Sequence, residues 1–286
     1  MVTLKDYHSD DPVAWCPGCG NHAILEALKG ALVKAGKAPR DIVIVSGIGQ
    51  AAKTPHYLRC NAFNGLHGRT LPVATGIKLA NHELTVLAEG GDGDGYTEGG
   101  NHFIHAMRRN IDITYLVHDN QVYGLTKGQA SPTSDEGYVS KTTPLGTLNP
   151  PLKPLMHAVV SDCGFVARGF SGDIEHLTDL IRDGILHRGF ALIDILQPCV
   201  SFNRVNTFQW YKERVYPISD DAEYDPEDRT AALQKAEEWG EQIPIGILYR
   251  SQRTTLHEKE PVLKKTALVK QKMGPSTLKS LFDQFL

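Results

Sequence analysis

The sequence predicts an α/β fold, in which a doubly wound and mostly parallel sheet carries helices on both faces. Apolar runs of strand length alternate with helical segments along the first 200 residues, and continuous apolar runs are typical of strands buried on both faces. The chain has 286 residues, of which 41% are hydrophobic, enough for a sizeable core and for one or two domains. We expect one main domain over residues 1–200. A C-terminal extension over residues 201–286 should pack on it and on a partner chain.

The predicted elements follow one another in a regular order. Apolar residues at helical spacing predict a helix over 23–34, Pro72 predicts the start of a helix over 73–80, and Asp173 is a predicted N-cap. Further helices are predicted over 101–109, from 174 to 185 and near 231–239. The predicted strands are 41–45, 83–88, 111–118, 165–167, 191–196 and 245–249. Residues 121–154 are rich in Gly, Thr, Ser and Pro without periodicity, which indicates a long functional loop.

Composition and charge exclude several classes of function. The 30 Lys and Arg residues nearly balance the 33 Asp and Glu residues, leaving a formal charge of −3, whereas nucleic-acid binding favours a strongly basic face. No apolar run approaches the roughly 18–20 residues of a membrane span, and the N-terminus is acidic where a secretory signal is apolar. We therefore expect a cytoplasmic protein that binds neither nucleic acid nor membrane.

A glycine-rich acidic turn and an asparagine follow two neighbouring predicted strands. Gly91-Asp92-Gly93 ends one strand and Asn120 ends the next, so both should lie at the same edge of a parallel sheet. The Asp92 carboxylate, the Asn120 amide and a carbonyl oxygen, that of Val122, are hard ligands suited to Mg²⁺. A tight turn is the simpler alternative, and a dinucleotide site is the other. Acids inside the glycine loop would repel a pyrophosphate without a metal, so the pattern favours a metal–diphosphate site.

Five cysteines form an odd and sparse set, which disfavours a secreted disulfide framework. The close pair Cys16 and Cys19 indicates a metal-binding or redox-active site. A thioredoxin-like motif would follow a buried strand, which the polar segment 5–11 is not. A structural zinc site would show a second close pair of ligands. Both alternatives stay open at this point.

Seven motifs in a fixed order extend this interpretation over about residues 10–250. They read WCPGCG at 15–20, SGIG at 46–49, LHGR at 66–69, ATGIKLAN at 74–81, GGDGDG at 90–95, DNQVYGLTKGQASPT at 119–133 and LIDILQPC at 192–199. Together they resemble the β subunit of 2-oxoacid:ferredoxin oxidoreductases, which have the thiamine diphosphate-binding fold.

The resemblance implies a cofactor site and a partner. It assigns Mg²⁺ to Asp92, Asn120 and the Val122 carbonyl, and it places His67 at the cofactor, although His67 has a turn-stabilising alternative. His67 and, from its position after GIGQ, Lys53 are the candidate catalytic residues. The glutamate that activates thiamine diphosphate comes from an α subunit in this family, in a heterodimer or a dimer of heterodimers. The implied reaction is coenzyme A-dependent oxidative decarboxylation of a 2-oxoacid with electrons passing to ferredoxin, reversible in principle. The residues implied around thiamine diphosphate, besides Asp92, Asn120 and Val122, are Gly47, Ile48, Gly49, His67, Gly91, Gly93, Asp94, Leu125 and Thr126.

The family also implies a [4Fe–4S] cluster, and here the sequence departs from the pattern. Cys16, Cys19 and Cys199 occupy three of the family's ligand positions, whereas Gln50 stands where the fourth cysteine would be. We expect Cys60 to be the fourth ligand. Gln50 or solvent in its place, or the absence of a cluster, are the alternatives. Cys163 precedes a predicted strand and is expected to be an ordinary buried thiol.

The identity of the substrate depends on one lysine. Lys53, three residues after GIGQ, should lie at the mouth of the cofactor pocket, where an ammonium would attract a second carboxylate. We therefore expect 2-oxoglutarate rather than pyruvate, with a solvated lysine or a diphosphate contact as the alternative. Two other functions stay possible: a non-redox thiamine diphosphate decarboxylase or synthase, and a structural subunit without electron transfer.

Overall fold

A single eight-stranded sheet organises the structure. The computed structural model describes residues 2–264, 266–272 and 275–285, and within its last helix the side chains from residue 278 onward. The strands in the order β2-β1-β3-β4-β8-β7-β10-β9 form the sheet, and β5 and β6 form a separate hairpin. Their bounds are β1 Ile42–Ser46, β2 Asn61–Asn64, β3 Thr85–Gly91, β4 Ile113–Asp119, β5 Val122–Tyr123, β6 Gln129–Ala130, β7 Phe165–Phe170, β8 Phe190–Leu196, β9 Val215–Pro217 and β10 Ile243–Arg250.

Six strands, β1–β4, β7 and β8, run parallel, and β10 pairs antiparallel with β7. All seven residues of β4 and of β8 are buried, as expected for central strands with both faces covered. The carboxyl ends of β1, β3 and β4 therefore meet at one edge of the sheet. This edge is where ligands bind in open α/β sheets.

Helices cover both faces of the sheet, so the predicted doubly wound α/β architecture is confirmed. The apolar sides of α1 and α5 pack on one face, and those of α2, α3, α4 and α7 pack on the other. The Asp173 carboxylate accepts a hydrogen bond from the His176 N–H at 3.1 Å and so caps α5 as expected. The bounds are α1 Gly20–Lys34, α2 Thr70–Ala80, α3 Gly100–Arg109, α4 Pro154–Val160, α5 Ile174–Leu186, α6 Phe208–Lys212, α7 Arg229–Glu237, α8 Leu256–Lys259 and α9 Pro275–Phe282.

Three local features differ from those that the sequence predicts. Strand β2 was not predicted, because its four residues are all exposed and carry no apolar alternation; pairing with β1 alone forms this edge strand. Helix α2 begins at Thr70, so Pro72 lies inside the first turn, where its missing N–H has no intrahelical partner in any case. The turn after Asp92 continues as a π-helix over Gly93–Glu98.

The C-terminal segment is joined to the rest by the sheet itself. Strand β10 adds to β7, and β9 adds to β10, so the sheet continues across residue 200. The division at residue 200 stays a prediction. Among the residues that the structure describes, no helix combines the length and the apolar character needed to cross a membrane.

Candidate functional site

A cleft opens at the carboxyl edge of β1, β3 and β4. The empty space that it outlines, including space open to solvent, is about 550 Å³. Of the residues implied around the cofactor, all except Gly47 line it. The lining residues are Ile48, Gly49, Gln50, Ala51, His67, Gly91, Asp92, Gly93, Asp94, Glu98, Asn120, Val122, Tyr123, Gly124, Leu125 and Thr126.

Asp94 ties the loops around this cleft together. Its Oδ1 accepts hydrogen bonds from the backbone N–H groups of Ile48 at 3.1 Å and Gly68 at 2.9 Å. Burial raises the pKa of Asp94, although these two N–H groups act in the opposite direction. Gly47 lies directly against this carboxylate, since a Cβ at Gly47 would be 1.9 Å from Asp94 Oδ2. The absence of a side chain at Gly47 thus allows the Asp94 carboxylate to pack against the backbone of this loop.

Asp92 shares one hydrogen-bond donor with a second carboxyl group. The Thr133 Oγ1 lies 2.7 Å from Asp92 Oδ2 and 2.7 Å from Asp119 Oδ1, and all three side chains are buried. A hydroxyl carries one proton and can donate to only one carboxylate at a time. Burial raises the pKa of Asp92, and burial together with the charges of Asp194 and Asp92 raises the pKa of Asp119 well above its usual range.

A third buried acid lies behind these two. Tyr96 donates a 2.5 Å hydrogen bond to Asp194, and burial raises the pKa of Asp194 to about 6, although Tyr96 and the Arg168 charge act in the opposite direction. The Arg168 guanidinium donates to the carbonyls of Ala236 at 3.2 Å and Pro244 at 3.3 Å. The site therefore contains three buried carboxyl groups, Asp92, Asp119 and Asp194.

The donor set at this edge fits a magnesium–diphosphate group. Asp92 offers a buried carboxylate whose charge is poorly compensated, and Asn120 stands beside it in the cleft. The Asn120 side chain is oriented by the Val122 N–H, which donates to its Oδ1 at 3.0 Å, and by Gln197 Oε1, which accepts from its Nδ2 at 3.0 Å. A divalent cation prefers such hard oxygen ligands and would compensate the buried charge.

The candidate catalytic residues differ in position. His67 lines the cleft and is exposed. Lys53 lies in the 3₁₀ helix Ala51–Tyr57 beside the cleft, without lining it, and is half-buried. Its ammonium has no hydrogen-bond or ion-pair partner among the described residues. The charge of Lys53 is thus available to a bound anion.

Hydrogen bonds join the two segments that carry three of the four expected cluster cysteines, Cys16, Cys19 and Cys199. Ser201 donates to Cys16 Sγ at 3.2 Å and Gln197 donates to Cys19 Sγ at 3.5 Å, which joins the loop before α1 to the segment after β8. Burial raises the pKa of Cys19 to about 11, and the charges of Cys199 and Cys16 act in the same direction. Cys163 is fully buried, as expected.

Cys60 lies at a different end of the strands from Cys199, and its role as fourth ligand stays a prediction. Cys60 directly precedes β2, whose first residue, Asn61, pairs with Val43 near the start of β1. It therefore lies toward the amino end of the strands, whereas Cys199 follows the carboxyl end of β8. Within the described chain, no group of three or more His, Cys, Asp or Glu residues is arranged to hold a metal ion. The residues present do not fit a cluster held by four thiolates.

Several residues of the site were not predicted from the sequence. Thr133 belongs to the quoted motif SPT, but nothing in the sequence links it to Asp92, forty-one residues earlier. Glu98 and Tyr123 line the cleft and contact each other at 3.5 Å. The position of Thr133 at the end of a motif rich in Gly, Ser and Pro was the one available signal.

Comparison with known families gives two matches. Residues 44–195 match the family model described as thiamine pyrophosphate enzyme, C-terminal TPP binding domain. Residues 199–265 match the model for the C-terminal part of the pyruvate ferredoxin oxidoreductase beta chain. The first of these spans the ends of β1, β3 and β4 and so covers the cleft.

Individual relatives agree with these matches. The chain is 46% identical over 255 residues to the 2-oxoacid:ferredoxin oxidoreductase 1, subunit beta, of Aeropyrum pernix, covering 86% of this chain and 80% of that one. It is 46% identical over 199 residues to the 2-oxoglutarate oxidoreductase subunit KorB of Mycobacterium tuberculosis, covering 70% and 53%.

A solved structure is also similar over nearly the whole chain. The 2-oxoglutarate:ferredoxin oxidoreductase from Magnetococcus marinus, with 2-oxoglutarate, coenzyme A and succinyl-CoA bound, superimposes with a TM-score of 0.91 at 35% identity, covering 98% of this chain and 95% of that one. The chain belongs to the family of β subunits of 2-oxoacid:ferredoxin oxidoreductases, and it is a subunit of an oxidoreductase enzyme.

Proposed function

We propose that this chain supplies the thiamine diphosphate and Mg²⁺ site for the coenzyme A-dependent oxidative decarboxylation of 2-oxoglutarate, acting with an α subunit and passing electrons to ferredoxin. The observation that carries the proposal is the cleft, which gathers Asp92, Asn120 and the glycine turns of three strand ends at one edge of the sheet. Membership of an oxidoreductase family favours this function over a non-redox decarboxylase or a structural subunit.

The residues expected around the cofactor each have a role in this proposal. Asp92, Asn120 and the Val122 carbonyl hold Mg²⁺, and the backbone at Gly91 and Gly93 allows close approach of the diphosphate. Thiamine diphosphate, when bound, supplies the electron sink for decarboxylation. The remaining cofactor contacts come from Ile48, Gly49, His67, Asp94, Leu125 and Thr126, with Gly47 setting the position of Asp94.

Thr133 acts as a positioning residue beneath the metal site. Without a cation, the Thr133 hydroxyl can donate its one proton to either Asp92 or Asp119. Burial favours the binding of one further proton by this pair of carboxyl groups. A bound Mg²⁺ would stabilise the Asp92 carboxylate in its charged form. The Thr133 hydroxyl then donates to Asp119, or to Asp92, and keeps both carboxylates oriented.

Substrate selection is assigned to Lys53. Lys53 is half-buried and lies two residues after Ala51, which lines the cleft, and its ammonium has no partner within the described residues. If the ammonium reaches the substrate, a distal carboxylate would gain a charge interaction that the methyl group of pyruvate cannot make. The names of the similar proteins from M. tuberculosis and M. marinus both contain 2-oxoglutarate, which supports the same substrate.

Exposed leucines are compatible with a partner subunit. Leu125, which lines the cleft, is 47% exposed, and Leu145 and Leu148, in the loop after β6, are 96% and 87% exposed. A contiguous patch of such side chains is typical of an interaction surface. If an α subunit packs over them, it would bring the missing acid to the cofactor and close the cleft to water. Cytoplasmic location stays a prediction.

The first test removes the carboxylate at the metal site. Asp92→Asn keeps the shape of the side chain and its hydrogen bond with Thr133 but removes the negative charge that faces Mg²⁺, so we expect at least a roughly tenfold loss of thiamine diphosphate affinity, or about 1.4 kcal/mol. Titration of the purified chain with cofactor and Mg²⁺ measures this loss. Asp220→Asn, at an exposed aspartate away from the cleft, is the control. Unchanged affinity in Asp92→Asn would reject the site.

The second test addresses the substrate. Reconstituted α/β enzyme should give a higher kcat/KM for 2-oxoglutarate than for pyruvate, and Lys53→Met should lower that ratio by about tenfold or more, because it removes the charge and keeps the length of the side chain. Steady-state kinetics with both substrates measure the ratio. A wild-type preference for pyruvate, or an unchanged ratio in Lys53→Met, would show that Lys53 does not select the substrate.

A further inference from the structure

The side chain of Gln197 connects the candidate metal site to the segment that follows β8. We propose that Gln197 is a positioning residue, which fixes the amide of Asn120 so that its oxygen, and not its nitrogen, faces Mg²⁺. The inference rests on the proposed function of the cleft. It adds to that function a residue that does not line the cleft and that sets the affinity of the site for the metal.

Gln197 is held in place on every side. It directly follows β8, is 1% exposed, and its backbone N–H donates to the Asp119 carbonyl at 2.8 Å. A Cβ at Gly20, the first residue of α1, would lie 2.9 Å from Gln197 Cγ, so the start of α1 packs closely against this side chain. Its Nε2 donates to the Pro198 carbonyl at 2.7 Å and to Cys19 Sγ at 3.5 Å. The Gln197 amide therefore has one defined position and orientation.

Two backbone groups determine which end of each amide is the oxygen. The Val122 N–H can only donate, so the Asn120 atom 3.0 Å from it must be the oxygen, Oδ1. The Pro198 carbonyl can only accept, so the Gln197 atom that faces it must be the nitrogen. The Gln197 oxygen is then the acceptor for Asn120 Nδ2, which donates to it at 3.0 Å. The hydrogen bonds thus run in one direction from Val122 through both amides to Pro198.

The direction of these hydrogen bonds decides what Asn120 offers to a metal ion. An amide oxygen has two lone pairs, of which the Val122 N–H uses one, and Mg²⁺ takes oxygen ligands. An amide rotated by half a turn would present an N–H₂ group, whose hydrogens repel a cation. The backbone of Asn120 is held separately, because Asn203 Nδ2 donates to its carbonyl at 3.1 Å. Gln197 therefore acts on the orientation of the Asn120 side chain, and hydrogen-bond partners that orient a metal ligand typically change metal affinity about 10–100-fold when they are removed.

The test is a double-mutant cycle on the full chain, in which Mg²⁺ affinity is measured by titration at a fixed concentration of thiamine diphosphate. Gln197→Met keeps the length of the side chain but removes its amide, so we expect Mg²⁺ to bind roughly 10–100-fold more weakly. In Asn120→Asp both ends of the side chain are oxygens, so no orientation has to be selected, and the Gln197 oxygen would face a carboxylate oxygen. In that background, Gln197→Met should leave the Mg²⁺ affinity unchanged or raise it.

A matched control shows the effect of losing a buried hydrogen bond elsewhere in the same strand. Thr114, near the start of β4, is 5% exposed and donates to the Gly184 carbonyl at 3.0 Å. Thr114→Val removes that hydrogen bond and should keep the Mg²⁺ affinity of wild type. An equal loss from Gln197→Met in both backgrounds would mean that Gln197 acts only on the fold and would overturn the inference. Unchanged affinity in Gln197→Met would also overturn it.

A measurement without metal tests the hydrogen bond itself. In the chain labelled with ¹⁵N at asparagine, the side-chain N–H₂ resonances of Asn120 are identified by their absence from Asn120→Asp. They should shift upfield in Gln197→Met, because Nδ2 loses its acceptor, and unchanged resonances would contradict the inference. Wild type that binds no Mg²⁺ and thiamine diphosphate would reject the proposed function as well, whereas a failed cycle with a wild type that binds both rejects only the role of Gln197.

Discussion

At the scale of single residues, the site depends on close packing between backbone and carboxylates. Gly47 and Gly93 are two positions where a side chain would collide with a neighbour: a Cβ at Gly93 would be 2.3 Å from the Tyr123 ring, and one at Gly47 would be 1.9 Å from Asp94. Both distances are shorter than real contacts of a Cβ atom. Gly47 and Gly93 are therefore required by packing as well as by ligand approach.

A substitution at Gly47 should weaken the site through Asp94. Gly47→Ala must displace the Asp94 carboxylate and loosen the Ile48 and Gly68 N–H groups that it holds. We expect at least a roughly tenfold loss of thiamine diphosphate affinity, about 1.4 kcal/mol, measured by titration. Gly76→Ala is the control. This exposed glycine within α2 has no described atom within 4 Å of the position that an alanine methyl group would take, so alanine should stabilise the chain by about 0.5–1 kcal/mol.

At the scale of elements, the segment after β10 is attached to the body by polar contacts. Arg253 donates to the carbonyl of Asp162 at 2.7 Å, Lys270 pairs with Glu83 at 2.5 Å, and the His257 ring stacks on His82 with centroids 5.2 Å apart. Burial lowers the pKa of His257. Asp112 and Glu258 favour its charged form, whereas Lys78 and His82 disfavour it.

This histidine stack predicts a pH dependence of the attachment. Because the pKa of His257 is lowered in the folded state, the folded chain binds fewer protons than the unfolded chain as the pH falls. The contribution of neutral His257 to the free energy of unfolding is therefore present above about pH 6.5 and is lost at lower pH. The protection factors for hydrogen exchange over α8, which correct for the pH dependence of intrinsic exchange, should therefore fall more between about pH 7 and 5 in wild type than in His257→Gln. An equal fall in the two proteins would contradict the assignment to His257.

At the scale of the whole molecule, the chain presents a preformed cofactor cleft next to exposed leucines. An oxidoreductase subunit of this architecture should bind the cofactor but lack the acid that activates it. We expect the isolated chain to bind thiamine diphosphate and Mg²⁺ with no detectable 2-oxoacid-dependent reduction of an electron acceptor. Activity should appear on addition of the α subunit. Turnover by the isolated chain would show that this polypeptide carries every catalytic group.

Much of the fold could be predicted from the sequence, because the strands of a buried parallel sheet are marked by short runs of apolar residues. Strands β3, β4 and β8 are continuous apolar runs, and the helices between them have apolar stripes, so local pattern was sufficient for the architecture. The exposed edge strand β2 lacked such a signal, because only its hydrogen bonds with β1 make it a strand.

The sequence alone determined the family motifs, the Asp92 and Asn120 pair at neighbouring strand ends, and the loss of a cysteine at position 50. Strand ends in a parallel sheet meet at one edge by topology, which is why spacing along the chain was enough. The tertiary structure alone decided two features. Cys60, directly before β2, lies toward the amino end of the strands. Thr133 lies within hydrogen-bond distance of both Asp92 and Asp119. Such contacts join segments far apart in the chain, and their geometry depends on how the loops pack, which local residue patterns do not specify.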